Sequence, residues 1–568
     1  MKAQKSSLFR CFCTGEGFFF CIKDKVLIDP ACGSGNFLTE TYLSLRRLEN
    51  QVLALLHNNQ IVFDVGNPIK VSIGQFYGIE INDFAVTVAK TALWIAESQM
   101  MKETEDVVHM SLDFLPLKSY ANIIEGNALR LDWESVVPKY KLNYIMGNPP
   151  FVGLSLRNKS QQYDMEVVFR ENNRAGRLDY VAAWYRKASE YIQNSLIEVA
   201  FVSTNSIVQG EQVPILWQDL FTQFHIIINF AYRTFTWNSE AKDKAAVHCV
   251  IIGFSTFPRK KKLLFESNSC REVSTINGYL VEAESVFIHL RGKPQPGFPK
   301  LVQGNKPWDG GNLILSEDER IQLISKYPIT ESFIKLYMGS NEFIKGLKRY
   351  CLWLKDVSPK LYADIPEITL RLKAVADIRR KTKTVAVQAL AETPMLFAQI
   401  RQPDSDYILI PETSSSSRKY IPIGFMGKDV IASNSTLVAT GATLYHFGVL
   451  TSNVHMAWMR TVCGRLKSDY RYSPSVYNNF PWPAPTKEQQ RTIEQTAQGV
   501  LDARKRYPDC SLKILYNEVT MPPELRTAHQ QNDRAVMQAY GFSVRDMTES
   551  SCVAVLMKMY QQLTEQKG

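Results

Sequence analysis

Along roughly the first 255 residues, short β-branched runs alternate with stretches whose apolar positions recur every three or four residues, the pattern of an α/β fold. Strands are expected at Val26–Asp29, Phe76–Glu80, Ile123–Gly126, Tyr144–Gly147, Val199–Ser203, His225–Phe230 and Val247–Phe254. Helical patterns occupy Phe37–Leu56 and Phe84–Met101. In the second, Phe84, Val88, Ala92 and Ile95 fall on one face, at i, i+4, i+8 and i+11. Seven strands with helices between the early ones describe a doubly wound sheet, whose ligand sites lie beyond the carboxyl ends of the strands.

Past this region the punctuation changes. Gly292–Gly311 is dense in proline and glycine and reads as a connector. From there to about Asn479, short strand-like and helical pieces surround a serine run at Ser414–Ser417, and from Thr486 the chain is helical and polar. The expected division is an atypical segment at 1–25, an α/β domain at 26–300, a mixed α/β domain at 301–480 and a helical tail at 481–568. With 568 residues the chain has room for several cores, since one core stops growing near ~250–300 residues.

Composition narrows the class. At 45% hydrophobic and 21% charged it is that of an ordinary globular protein. No apolar run approaches the ~20 residues of a membrane span. Gly17–Ile22 is too short for a signal-peptide core and no cleavage site follows it, so export is not expected. The ten cysteines include no CxxC pair, and only Cys11 and Cys13 lie close, without nearby histidines. No metal site and no disulfide framework is expected, and reduced thiols suit a cytoplasmic protein. The net charge of +10 hints at a polyanionic partner, and its distribution says more. Between Ile334 and Lys383 stand twelve basic residues against five acidic ones, with Phe343, Tyr350, Trp353 and Tyr362 among them. Basic residues interleaved with aromatics suit a phosphate backbone; a solvated helix face has the same composition.

Two motifs carry chemistry. The first runs from Val26 to Leu38: a strand, a glycine turn with Gly33 and Gly35, and the start of a helix. Glycines let the backbone pass close to a ligand, and the helix start offers unpaired N–H groups. A dinucleotide fold would place a third glycine where Leu38 stands, so that reading loses support. Asp29, at the strand end, would repel a pyrophosphate but attract the cationic end of S-adenosylmethionine, with Pro30, Ala31 and Phe37 beside the methionine part. Glu80 ends the next strand and can accept hydrogen bonds from both ribose hydroxyls, while Ile81 packs on the adenine ring. Asn127, at the third strand end, can bond the amino group of that adenine.

The second motif is Asn148-Pro149-Pro150-Phe151, delivered by the strand Tyr144–Gly147. An exocyclic amine on a nucleobase is a poor nucleophile because its lone pair is delocalised into the ring. Accepting its hydrogens, at the Asn148 side-chain oxygen and the Pro149 carbonyl, pushes the nitrogen toward a tetrahedral geometry. Two prolines hold those acceptors in place. Phe151 offers a face for a flipped base, and Phe235, or else Trp237, the second face of a sandwich. No Pro-Cys pair occurs, which removes cytosine C5 chemistry.

DPACGSGNF at Asp29–Phe37 followed by NPPF at Asn148–Phe151 resembles the gamma-type adenine-N6 DNA methyltransferases. GIEINDFAVTVAKTALWIAE (Gly78–Glu97), TFTWNSEAK (Thr234–Lys242), GSNEFIKG (Gly339–Gly346) and CGRLKSDYRYSPSVYNNFPWP (Cys463–Pro483) resemble the MmeI-like type IIL restriction–modification enzymes, from about Val26 to the C-terminus. The resemblance implies a Rossmann-like class I methyltransferase sheet, S-adenosyl-L-methionine as cofactor without a metal, and double-stranded DNA as partner. It further implies a target-recognition domain at roughly residues 300–480, a short asymmetric site and methylation of one strand. In that family a nuclease and a helical connector precede the methyltransferase. Only 28 residues precede Asp29 here, so cleavage by this chain is not expected. Met1–Lys25 does not resemble the cofactor-covering element of the gamma class, which points to a separate nuclease partner or a missing N-terminal portion. Cytosine-N4 methylation, methylation of a protein glutamine amide and a catalytically impaired DNA-binding remnant are the alternatives.

Overall fold

The computed structural model describes residues 24–58, 69–109, 122–170, 172, 174–237, 247–466 and 469–565. Gly17–Ile22, Cys11, Cys13 and almost all of the 1–25 segment lie outside the described residues. Contacts divide the chain into two units: residues up to Val208 with Gln212–Phe287, and Gln209–Glu211 with everything from Ile288 onward.

The first unit is built on one nine-stranded sheet. In chain order its strands are β1 (Leu27–Asp29), β2 (Phe76–Glu80), β3 (Asn122–Glu125), β4 (Tyr144–Gly147), β5 (Glu198–Thr204), β6 (Ile227–Trp237), β7 (Val247–Ser255), β8 (Lys262–Glu266) and β9 (Ser269–Val273). In space they lie β3-β2-β1-β4-β5-β7-β6-β8-β9. The first five are parallel, and β7 inserts antiparallel between β5 and β6. Strand order reverses between β1 and β4, so the crevice that binds ligands in such sheets opens where β1, β2 and β4 end. All seven expected strands are present, six of them within a residue or so of their expected bounds, while β6 runs on past Phe230 to Trp237. The hairpin β8–β9, which the sequence pattern did not reveal, turns at Ser267 in the left-handed region (φ +50°).

Among the described residues five helices accompany the sheet: α1 (Asn36–Asn58), α2 (Asp83–Val108), α3 (Lys159–Phe169), α4 (Ala182–Tyr191) and α5 (Gln212–Thr222). Asn82 starts α2 as an N-cap, its side chain accepting from the Ala85 N–H at 3.0 Å. The face of α2 that meets the core is not the one marked by Phe84, Val88, Ala92 and Ile95. Phe84 is 74% and Ile95 54% exposed, whereas Val86, Ala89, Leu93, Ala96 and Met100 are buried. They pack with Leu38 and Tyr42 of α1 and Phe76 of β2. Small and large apolar residues on that side nest against another helix, a preference that helical periodicity alone cannot express.

The second unit contains three small sheets. Leu301–Gln303, Thr436–Thr440, Tyr407–Pro411 and Gly424–Met426 form an antiparallel one; Val302 pairs with Val438, so the expected connector contributes a strand. Ile314–Leu315, Tyr350–Leu352, Ile334–Met338 and Ile431–Ala432 form the next, over a core that includes Leu313, Phe333, Leu352, Ile368 and Phe397. Thr413–Ser414, Asp469–Arg471 and Gly464–Leu466 form the third. The helices Lys487–Lys505, Pro523–Ala539 and Glu549–Glu565 dominate the end of the chain. The first opens with a capping box of Thr486 and Gln489 and buries Ile493, Ala497 and Val500. Among the described residues no helix is long and apolar enough to cross a membrane.

Candidate active site

The reversal of strand order decides where the site forms. Beyond β1, β2 and β4 lies a cavity of about 410 Å³ whose wall includes Pro30 and Ala31 after β1, Glu80 and Ile81 at the end of β2, Asn127 after β3, and Asn148 and Pro150 after β4. Four separate segments thus converge on one space.

The glycine turn is held from both sides. Gly33 has φ +54° and open space where a Cβ would stand. Gly35 has φ +83°, and a Cβ there would lie 2.9 Å from the Ala89 Cβ of α2. Glycine at 35 therefore permits the packing against α2, while the space beside Gly33 is open. Neither they nor Phe37 lines the cavity. Glu80 ties the turn down: its Oε2 accepts from the Gly33 N–H and its Oε1 from the Asn82 N–H, both at 3.0 Å. Each oxygen keeps one lone pair for a ligand.

Asp29 is 1% exposed and sits behind the turn, not on the cavity wall. Its Oδ1 accepts from the Ala31 N–H at 2.9 Å. Burial pushes its carboxyl up to about 7, the Ala31 hydrogen bond works against the rise, and Glu80 adds to it. Gly147 makes room for it, because a Cβ at that position would stand 2.5 Å from Asp29 Oδ1.

The Asn148 side-chain oxygen is buried and, among the described residues, accepts no hydrogen bond. An orphaned buried acceptor costs roughly 1–3 kcal/mol unless a ligand donates to it. Pro149 is buried, Pro150 exposed and Phe151 half-buried; of these only Pro150 lines the cavity. Phe235 is half-buried on β6, edge-on to Tyr232 at 5.4 Å and tilted against Trp237 at 6.2 Å. Neither Phe235 nor Trp237 lines the cavity, and Asn238–Lys242 lie outside the described residues.

Among the wall residues that escaped the sequence reading, beside Asn158, Ser160 and Gln161, are Asp164 on α3, Tyr180 just before α4, and Trp184 on α4. Trp184 donates its indole N–H to the Pro30 carbonyl at 3.1 Å and meets Tyr180 edge-on, with centroids 5.2 Å apart. Asp164 accepts from the Tyr180 hydroxyl at 2.6 Å. The only signal in the chain was an aromatic cluster around Tyr180–Tyr185, which reads equally well as core.

The basic segment of the second unit is largely spent on itself. Arg379 is fully buried and donates to the carbonyls of Pro307, Trp308, Leu390, Thr393 and Leu396. Lys335, Lys348, Arg349, Lys355, Arg371 and Arg380 pair with neighbouring carboxylates. Lys345, Lys360, Lys373, Lys381 and Lys383 remain exposed.

Residues 20–266 match the family described as the MmeI DNA-methyltransferase domain, residues 282–484 the MmeI target recognition domain, and residues 485–567 the MmeI C-terminal domain. "DNA methyltransferase A" of Bacillus subtilis (strain 168) is 41% identical over 542 residues, covering 94% of this chain and 61% of that protein. The chain thus spans less than two thirds of that relative. A putative type II restriction enzyme and methyltransferase of Methanocaldococcus jannaschii is 32% identical over 74 residues, 13% of this chain and 6% of that one. The solved structure of the type IIL restriction–modification enzyme MmeI in complex with DNA superimposes with a TM-score of 0.88 at 43% identity, covering 97% of this chain and 74% of that one. This chain belongs to the family of the MmeI-type restriction–modification enzymes, and carries that family's methyltransferase, target-recognition and C-terminal domains.

Proposed function

We propose that the chain is a site-specific DNA methyltransferase that uses S-adenosyl-L-methionine to methylate N6 of adenine in double-stranded DNA. The observation that carries this reading is the buried, unpartnered oxygen of Asn148 on the same cavity as Glu80, Pro30 and Asn127. When bound, S-adenosylmethionine supplies an electrophilic methyl group. Glu80 has two lone pairs left for a ribose diol, and the exposed Ile81 offers an apolar surface to a purine ring. Asp29 places a negative charge behind the turn once its proton leaves, which favours a cationic ligand over a neutral one. Pro30, Ala31, Gly33, Gly35 and Phe37 shape the turn around the amino-acid end.

Asn148 Oδ1 and the Pro149 carbonyl accept the two hydrogens of the target amine and free its lone pair for attack. Pro150 stiffens that backbone, and Phe151 stacks on the extruded base with Phe235 as the opposing ring. No protein nucleophile and no metal takes part. Residues 301–480 read the DNA, and the five exposed lysines approach phosphates. A reduced, cytoplasmic setting suits the free thiols, such as Cys32, Cys249 and Cys351.

The test is transfer of labelled methyl groups from S-adenosylmethionine to unmethylated bacterial DNA, with product digestion to identify the base. Incorporation as N6-methyladenine that falls at least ~100-fold in Asn148→Ala supports the reading. Label in N4-methylcytosine replaces the target base. DNA retention without any transfer favours a binding-only protein.

A further inference from the structure

The cavity wall holds a buried carboxylate with no role in the reading above. Asp164 is 2% exposed, in the second turn of α3, and four hydrogen bonds converge on it. Its Oδ1 accepts from Arg130 Nε at 2.6 Å and from Asn127 Nδ2 at 3.2 Å. Its Oδ2 accepts from the Tyr180 hydroxyl at 2.6 Å and again from Asn127 Nδ2 at 3.2 Å. Three donors, Arg130, Tyr180 and an Asn127 N–H shared between the two oxygens, thus hold this carboxylate in place.

Asn127 is then oriented without ambiguity. Its amide nitrogen is claimed by a carboxylate, which cannot donate, and its oxygen accepts from the Leu129 N–H at 3.0 Å, which cannot accept. Turning the amide over would set its NH2 against an N–H and its oxygen against a negative charge. Asn127 has left the second lone pair of an oxygen whose position is fixed, and, at the other end of the amide, the N–H that does not point at the carboxylate. An acceptor held in this way takes a hydrogen bond from an amine and repels a carbonyl.

We propose that Asp164 is a positioning residue that locks the Asn127 carboxamide and makes the cavity selective for a 6-aminopurine nucleoside over a 6-oxopurine one. This rests on the reading of the cavity as the S-adenosylmethionine site and assigns the origin of its purine selectivity. Arg130 and Tyr180 complete the lock by holding Asp164 in turn. Sites that hydrogen-bond a required group reject analogues lacking it far more strongly than apolar pockets do.

The experiment is calorimetric titration with S-adenosylhomocysteine and with its deaminated, inosine counterpart. The wild type is expected to prefer the adenosine compound at least ~10-fold, the range a lost or opposed hydrogen bond to a fixed group produces. In Asp164→Asn the new amide can present either end, Asn127 can turn over, and the preference falls below about threefold, mostly by tighter relative binding of the inosine compound. Tyr180→Phe, which keeps the ring and removes one donor, shifts the ratio the same way and serves if Asp164→Asn does not fold. In methyl transfer at saturating cofactor, kcat changes less than the KM for cofactor. A role confined to stability weakens both nucleosides equally; an unchanged ratio in a folded variant overturns the proposal alone. Binding of neither nucleoside by the wild type overturns the cofactor reading and this proposal together.

Discussion

Asp29 carries a conflict that can be measured. With its carboxyl pushed up to about 7 against an ordinary value of 3.8, the folded chain binds this proton more tightly than the unfolded chain does. The stabilisation is complete below the unfolded value and is lost as pH rises through about 7. Asp29→Asn removes the ionisation, so at pH 8 the variant melts a few degrees above the wild type, with the gap closing toward pH 5. Its affinity for S-adenosylmethionine moves the other way. In the wild type a cationic ligand draws the proton off, so affinity rises with pH up to about 7 and then levels. The variant's binding is weaker and flat over the same range, and calorimetry at several pH values distinguishes the two curves. Gly147→Ala tests the same contact from the opposite side. A methyl group 2.5 Å from Asp29 Oδ1 has no room, and the substitution is expected to abolish methyl transfer and lower the melting temperature.

At the scale of elements, α2 shows how a correct helix can be assigned to the wrong face. Both candidate faces carry apolar residues at helical spacing, and only the packing of α1 and β2 selects between them. Leu93→Ala opens a void in the buried face and is expected to cost about 2–5 kcal/mol in urea unfolding. Phe84→Ser, on the exposed face, is expected to change stability by less than ~0.5 kcal/mol. Equal costs would mean that both faces are covered. The β8–β9 hairpin went unseen for a related reason. It lies at the sheet edge, and Ser269, Cys270, Arg271 and Glu272 are all exposed, so no alternation of apolar and polar positions marks it.

At the scale of the whole molecule the charge excess divides into two kinds. Arg379→Met withdraws a donor from five partly buried carbonyls, those of Pro307, Leu390 and Thr393 keeping one backbone donor each, and is expected to destabilise the second unit by about 3 kcal/mol. Replacing the exposed Lys373, Lys381 and Lys383 by alanine leaves stability near that of the wild type. If these lysines meet phosphates, the slope of log affinity for DNA against log salt becomes shallower by up to about 3. An unchanged slope places the DNA contacts elsewhere. The sequence by itself determined seven of the nine strands of the large sheet, the turns after the early ones and the order of the two motifs. Those features depend on neighbours within a few positions, where alternation and turn-forming residues act directly. Asp29, Glu80, Asn127 and Asn148 were legible as strand-end polar groups for that reason. Tertiary structure alone decided that Asp29 sits behind the cavity wall, that Gly35 serves Ala89, and that Arg379 is a buried staple instead of a surface charge. It alone brought Asp164 to Asn127, across 37 positions of sequence, and Trp184 to Pro30, across 154. Hydrogen bonds of that reach leave no periodic trace in the chain, because the fold supplies the distance between partners after every local rule has been satisfied.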